Sequence, residues 1–86
     1  MTSPTLERVL SIVSGVAGAH RSPPGAGRET PLTDGGFWLD SVELLEIVLA
    51  CEEAFGIVFD STADLTDESL STVGSLVELI QARRAS

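Results

Sequence analysis

The run Ser41–Phe55, opened after Asp40 and stopped by Gly56, most constrains what this chain can fold into. It reads as one helix ended by a glycine stop. Wound at 3.6 residues per turn from Ser41, it places Leu44, Ile47, Val48, Cys51, Ala54 and Phe55 on one side. Val42, Leu45 and Leu49 fall on a different side with Ser41, Glu46, Glu52 and Glu53, and Glu43 lies further round the flank. The first set is wide enough to be a core stripe. The second is an apolar strip ringed by carboxylates. It is either a surface for docking another protein or further core, covered by the first helix or a loop.

The other elements follow from the same periodicity. Ser3 is expected as N-cap with Pro4 at the first helical position. Leu6, Val9, Leu10, Val13, Val16 and Ala17 then form one apolar stripe, so a first helix is expected over 4–18. Residues 20–40 read as a long loop, because Ser22-Pro23-Pro24-Gly25-Ala26-Gly27 holds neither a helix nor a central strand. Leu32 and Phe37 are its expected anchors to the core. Ile57-Val58-Phe59 is expected to pack down as loop. A short third helix is expected over 66–70. A fourth is expected over 72–83, capped by Ser71 or Thr72, with Val73, Leu76, Val77 and Ile80 on one face and Arg83 and Arg84 near its negative end. The expected fold is all-α: a single domain over 1–86, a four-helix bundle with a short third helix and a long loop between helices 1 and 2.

A chain of 86 residues builds only a modest core and no deep catalytic cleft. Its net charge is −8, and the stretch from Glu29 to Ala82 contains acids but no Arg or Lys. Such a field repels nucleic acid and anionic membranes and attracts basic protein surfaces, besides keeping a small protein soluble. With Cys51 the only cysteine, no disulfide framework or cysteine zinc cluster is possible; on the core side of its helix it reads as a small buried hydrophobe. His20 is the only histidine, so no nucleophile–histidine pair is legible and a small hydrolase is not expected. Asp60, Asp64, Asp67 and Glu68 lack calcium-loop spacing, and no metal site is expected. Met1-Thr2-Ser3-Pro4 lacks the basic region of a signal peptide, and no apolar run is long enough to span a bilayer, so the expected location is cytoplasmic.

Ser41 is the residue with chemical promise. It is exposed in this reading, beside the positive end of a helix, and suited to carry a phosphate. The stretch Asp40-Ser41-Val42-Glu43-Leu44-Leu45-Glu46, read on to Phe55-Gly56-Ile57, resembles the modification site of acyl carrier proteins and the related peptidyl carrier domains. The resemblance extends from about Leu6 to Ile80 and includes the early amphipathic helix, the long loop, Glu52-Glu53-Ala54-Phe55-Gly56 and Leu70-Ser71-Thr72-Val73. It implies that Ser41 accepts 4′-phosphopantetheine from coenzyme A through a phosphopantetheinyl transferase and magnesium, with Asp40 positioning that complex. It also implies that Glu46, Glu52 and Glu53, with Val42 and Leu45, meet partner enzymes.

Two departures mark the chain within that resemblance. Trp38 stands where a glycine is usual, which implies a different local loop. The stretch Ile57–Leu65 is longer than in fatty-acid carriers, which is similar to carriers of specialised pathways. The expected function is an acyl carrier, itself not an enzyme, that holds thioesters on the arm at Ser41 in polyketide or other specialised metabolism. Its expected partners are the transferase and acyl-loading, acyl-transferring or condensing enzymes, with no nucleic acid or membrane, and the expected state is a monomer. The docking set is Val42, Glu43, Leu45, Glu46, Leu49, Glu52 and Glu53. Two other readings remain: an aminoacyl or peptidyl carrier, and an unmodified acidic adaptor binding through Val42, Leu45 and Leu49. The sequence leaves open whether Trp38 shields the arm, contacts a partner or covers the core. It also leaves open whether Leu44, Val48 and Cys51 line an interior pocket for cargo.

Overall fold

The structure, a computed structural model, describes residues 4–60 and 63–84. Three helices carry the fold: α1 (Pro4–Ala17), α2 (Ser41–Phe55) and α3 (Val73–Arg84). The expected cap at Ser3 lies outside the described residues. The stripe of α1 buries Leu6, Val9, Val13 and Ala17, with Leu10 and Val16 packed against its edge. It meets Ile47, Val48 and Cys51 from α2 and Val73, Leu76, Val77 and Ile80 from α3. Each fully buried side chain of this size contributes about 1.5–3 kcal/mol relative to leaving it in water. None of the described helices is long and apolar enough to cross a membrane.

The long loop is an ordered part of the core. Leu32 and Phe37 are fully buried, as expected, and Leu39 joins them. The loop also satisfies the start of α3. Val73 N–H donates to the Thr30 carbonyl at 3.0 Å, Gly74 N–H to the Arg28 carbonyl at 2.8 Å, and Leu32 N–H to the Ser71 carbonyl at 2.9 Å. Thr72 caps the helix reciprocally: Ser75 N–H donates to Thr72 Oγ1 and Thr72 N–H to Ser75 Oγ, each at 3.1 Å. Orphan donors at a helix start need such partners.

The short helix expected over 66–70 is instead a single turn, closed by Leu70 N–H on the Thr66 carbonyl at 3.1 Å. Local side chains take the backbone groups a helix would use. Ser69 N–H donates to Thr66 Oγ1 at 3.1 Å, Ser71 Oγ to the Glu68 carbonyl at 2.8 Å, and Ser75 Oγ to the Ser69 carbonyl at 2.8 Å. Serine and threonine compete with helix in this way. Just before it, Asp64 is buried against Arg83 of α3, at 2.5 Å, and its second oxygen accepts Asp60 N–H at 2.8 Å. Of Ile57-Val58-Phe59, Phe59 packs into the core while Val58 is exposed.

Two glycines test this account in opposite directions. A Cβ on Gly36 would lie 2.0 Å from the Pro31 carbonyl oxygen, so Gly36→Ala must push the loop open. Gly15 is exposed inside α1 with nothing within 4 Å of a Cβ. Urea unfolding should show Gly36→Ala destabilised by roughly 2–3 kcal/mol and Gly15→Ala stabilised by about 0.5–1 kcal/mol.

Candidate functional site

The start of α2 is built by a capping box. Asp40 is extended (φ −90°, ψ 179°), and its Oδ1 accepts Glu43 N–H at 2.8 Å. Glu43 Oε1 in return accepts Asp40 N–H at 3.2 Å. Leu44 N–H closes the first helical bond on the Asp40 carbonyl at 2.9 Å. A cap of this kind is worth about 1 kcal/mol. It also fixes where Ser41 sits: first residue of the helix, exposed, its hydroxyl without a hydrogen-bond partner among the described residues. The far end of α2 is closed by Gly56, which turns left-handed (φ 66°) and donates its N–H to the Glu52 carbonyl.

A guanidinium from the loop just after α1 braces this corner. Arg21 Nε donates to the Ala17 carbonyl at 3.0 Å and Nη1 to Glu43 Oε1 at 2.7 Å, while Nη2 pairs with Glu43 Oε2. Nη1 also reaches the Trp38 carbonyl at 3.4 Å. The Arg21 hydrogen bonds, with the Asp40 N–H, hold the Glu43 carboxyl at about 2, well below its ordinary 4.5. Trp38, where a glycine is usual in the resembling family, keeps a left-handed backbone at φ 57°. The loop thus retains a glycine-like conformation while carrying an indole. Trp38 N–H is held by the Thr33 carbonyl at 3.0 Å, and its neighbours Phe37 and Leu39 are both buried.

The two faces of α2 separate as its periodicity predicts. Ile47, Val48 and Cys51 are buried, whereas Val42, Leu45 and Leu49 are 66%, 55% and 56% exposed. Ser41, Glu46 and Glu53 are exposed on the same helix. Glu43 and Glu52 are partly buried and already engaged: Glu43 by Arg21, and Glu52 by the Phe59 N–H, which donates to its Oε2 at 2.7 Å. Burial pushes the Cys51 thiol up to about 11, so it stays protonated and unreactive. No group of three or more His, Cys, Asp or Glu placed to hold a metal occurs among the described residues. At the opposite pole of α2, Arg8 and Arg84 stack on the Phe55 ring at 5.8 and 5.5 Å and tie the three helix ends together.

Sequence reasoning missed Arg21 and the Asp64–Arg83 pair. Neither leaves a local signal, because the partners lie 22 and 19 residues apart and meet only through the fold.

An exposed serine hydroxyl at a helix start can take an acidic substituent. The helix end carries about +0.5 charge there, and Arg21 offsets the Glu43 carboxylate two residues on. A phosphodiester on Ser41 therefore fits the corner sterically and electrostatically.

The corner should also register in acid. A carboxyl lowered on folding stabilises the protein fully above its ordinary value and loses that contribution as pH falls through the folded value. For Glu43 that window runs from 4.5 down to about 2. Asp64, lowered by Arg83, acts in the same direction. Thermal melts between pH 2 and 7 should therefore show Glu43→Gln with a smaller loss of stability in that window than the wild type, though not a flat profile.

Residues 7–80 match the family described as "Phosphopantetheine attachment site". No curated protein and no solved structure gives a significant match. The match spans most of α1, the loop, all of α2 and most of α3. With the exposed serine at a positive helix end in an all-α fold, it shows that the chain belongs to the phosphopantetheine attachment-site family, whose domains carry 4′-phosphopantetheine covalently.

Proposed function

We propose that this protein is an acyl carrier whose arm is attached to Ser41 and which serves polyketide or other specialised biosynthesis. The observation that carries the reading is the free, exposed hydroxyl of Ser41 at the first position of α2, next to the Asp40 cap and inside the matched region. When bound, the phosphopantetheine supplies a thiol that holds acyl groups as thioesters. The chain's own residues present, orient and steer.

Asp40 keeps one carboxylate oxygen free of the cap, since only Oδ1 accepts Glu43 N–H. That oxygen is available to position the transferase and its magnesium. Val42, Leu45 and Leu49 supply the apolar contact for partner enzymes, and Glu46, Glu53 and Glu52 the steering charge. Glu43, on the flank of that face, is matched by Arg21, so its larger role is to frame the serine. The expected docking is small in area and short-lived, as suits a carrier that visits several enzymes. The length of Ile57–Leu65 and the Trp38 substitution favour a specialised pathway over fatty-acid synthesis.

The test is intact mass before and after incubation with coenzyme A, magnesium and a broad-specificity phosphopantetheinyl transferase. The wild type should gain one phosphopantetheine and Ser41→Ala none. No gain by folded wild type would favour the unmodified adaptor. In the same assay, Glu46→Lys with Glu53→Lys should slow modification most at low salt, where steering is least screened.

A further inference from the structure

Trp38 is the one feature of the Ser41 corner that neither the fold nor the cap requires. Its side chain is 58% exposed although it is the largest in the chain. Its backbone sits at φ 57°, a left-handed conformation that strains a residue with a Cβ. Exposure and strain are both imposed by the surroundings. Phe37 and Leu39 are buried on either side, so the indole is turned outward, and Thr33 and Arg21 hold the two polar groups of its peptide units. Strain maintained by neighbours beside a functional serine points to use of the strained side chain.

The interior leaves little room for cargo. Ile47, Cys51, Val9, Val13, Leu76, Val77 and Ile80 are fully buried, and Val48 nearly so. Three surface clefts lie elsewhere, around Phe55, around Arg28 and around Ser69, and none of these is lined by Ser41, Leu44, Val48 or Cys51. An apolar group carried at Ser41 therefore has its nearest apolar surface outside the bundle. Trp38 on the loop side and Val42 on the helix side flank Ser41 in the chain, and both are exposed. Three trans peptide steps bound the Cα separation of Trp38 and Ser41 at about 11 Å. The arm, with a phosphate, a branched alkyl segment, two amides and a thiol, outreaches that. An indole offers a flat apolar face to such amides, to a thioester and to an alkyl chain, with its N–H at the wet edge.

We propose that the Trp38 indole is the resting surface of the phosphopantetheine arm and its acyl cargo, which lie against it outside the bundle. The proposal rests on Ser41 as the attachment residue.

The chain has one tryptophan and no tyrosine, so its fluorescence reports Trp38 alone. Acrylamide quenching should be measured on the unmodified protein, the coenzyme A-modified form and the form made with hexanoyl-coenzyme A, each verified by mass, with Ser41→Ala as control. Collisional quenching follows exposed ring area, so covering half of the exposed face lowers it about two-fold. That fall is expected in the hexanoyl form, a smaller one with the bare arm, and none in Ser41→Ala. Equal quenching across forms of verified mass overturns this inference and leaves the carrier reading intact. So does quenching that falls only when the transferase is added, which would make the indole a partner contact. Failure of the wild type to gain mass overturns both.

Discussion

The Arg21 guanidinium is the tie on which the geometry of the Ser41 corner depends. It holds the last carbonyl of α1, the carbonyl of Trp38 and both oxygens of Glu43. Glu43 is in turn half of the capping box that starts α2. One planar fork thus couples the end of the first helix, the loop before the serine and the first turn of the second helix. Arginine suits this because its donors are fixed in a plane and it stays charged throughout the accessible pH range. The consequence is that Ser41 is presented from a hydrogen-bonded frame although it follows a long loop.

The loop is also held at its other end. Between Arg28 and Leu32 its backbone pairs with the start of α3, while Leu32, Phe37 and Leu39 plug the core. Its carbonyls satisfy donors that α3 would otherwise leave open. The loop therefore does structural work that a fourth full helix would do in a larger bundle. The polar turn at 66–70 is free to remain a turn.

Charge is distributed to match. Arg21 and Arg83 are paired with Glu43 and Asp64, and Arg8 and Arg84 lie on Phe55 at the pole remote from Ser41. The surface around the serine is left acidic, with Glu46 and Glu53 exposed beside Val42, Leu45 and Leu49. Exposed acidic and apolar side chains thus share one helix face, while the opposite face of α2 packs toward the core.

The sequence by itself determined the helices with strong periodicity, the division of α2 into two faces, the anchors Leu32 and Phe37, and the place of Ser41 at a helix start. Those are local properties: repeats of 3.6 residues, a serine after an aspartate, a glycine stop. It misled at 66–70, where the Thr66 and Ser71 side chains hydrogen-bond to the nearby backbone, an option that helical spacing does not register. Only the tertiary structure decided that Arg21 meets Glu43, that Asp64 meets Arg83, and that a tryptophan is held in a glycine's conformation beside the serine. The reason is physical. Side-chain pairs distant in sequence, and strain imposed by neighbours, have no periodic trace in the chain, and they exist only once the core has brought the elements together.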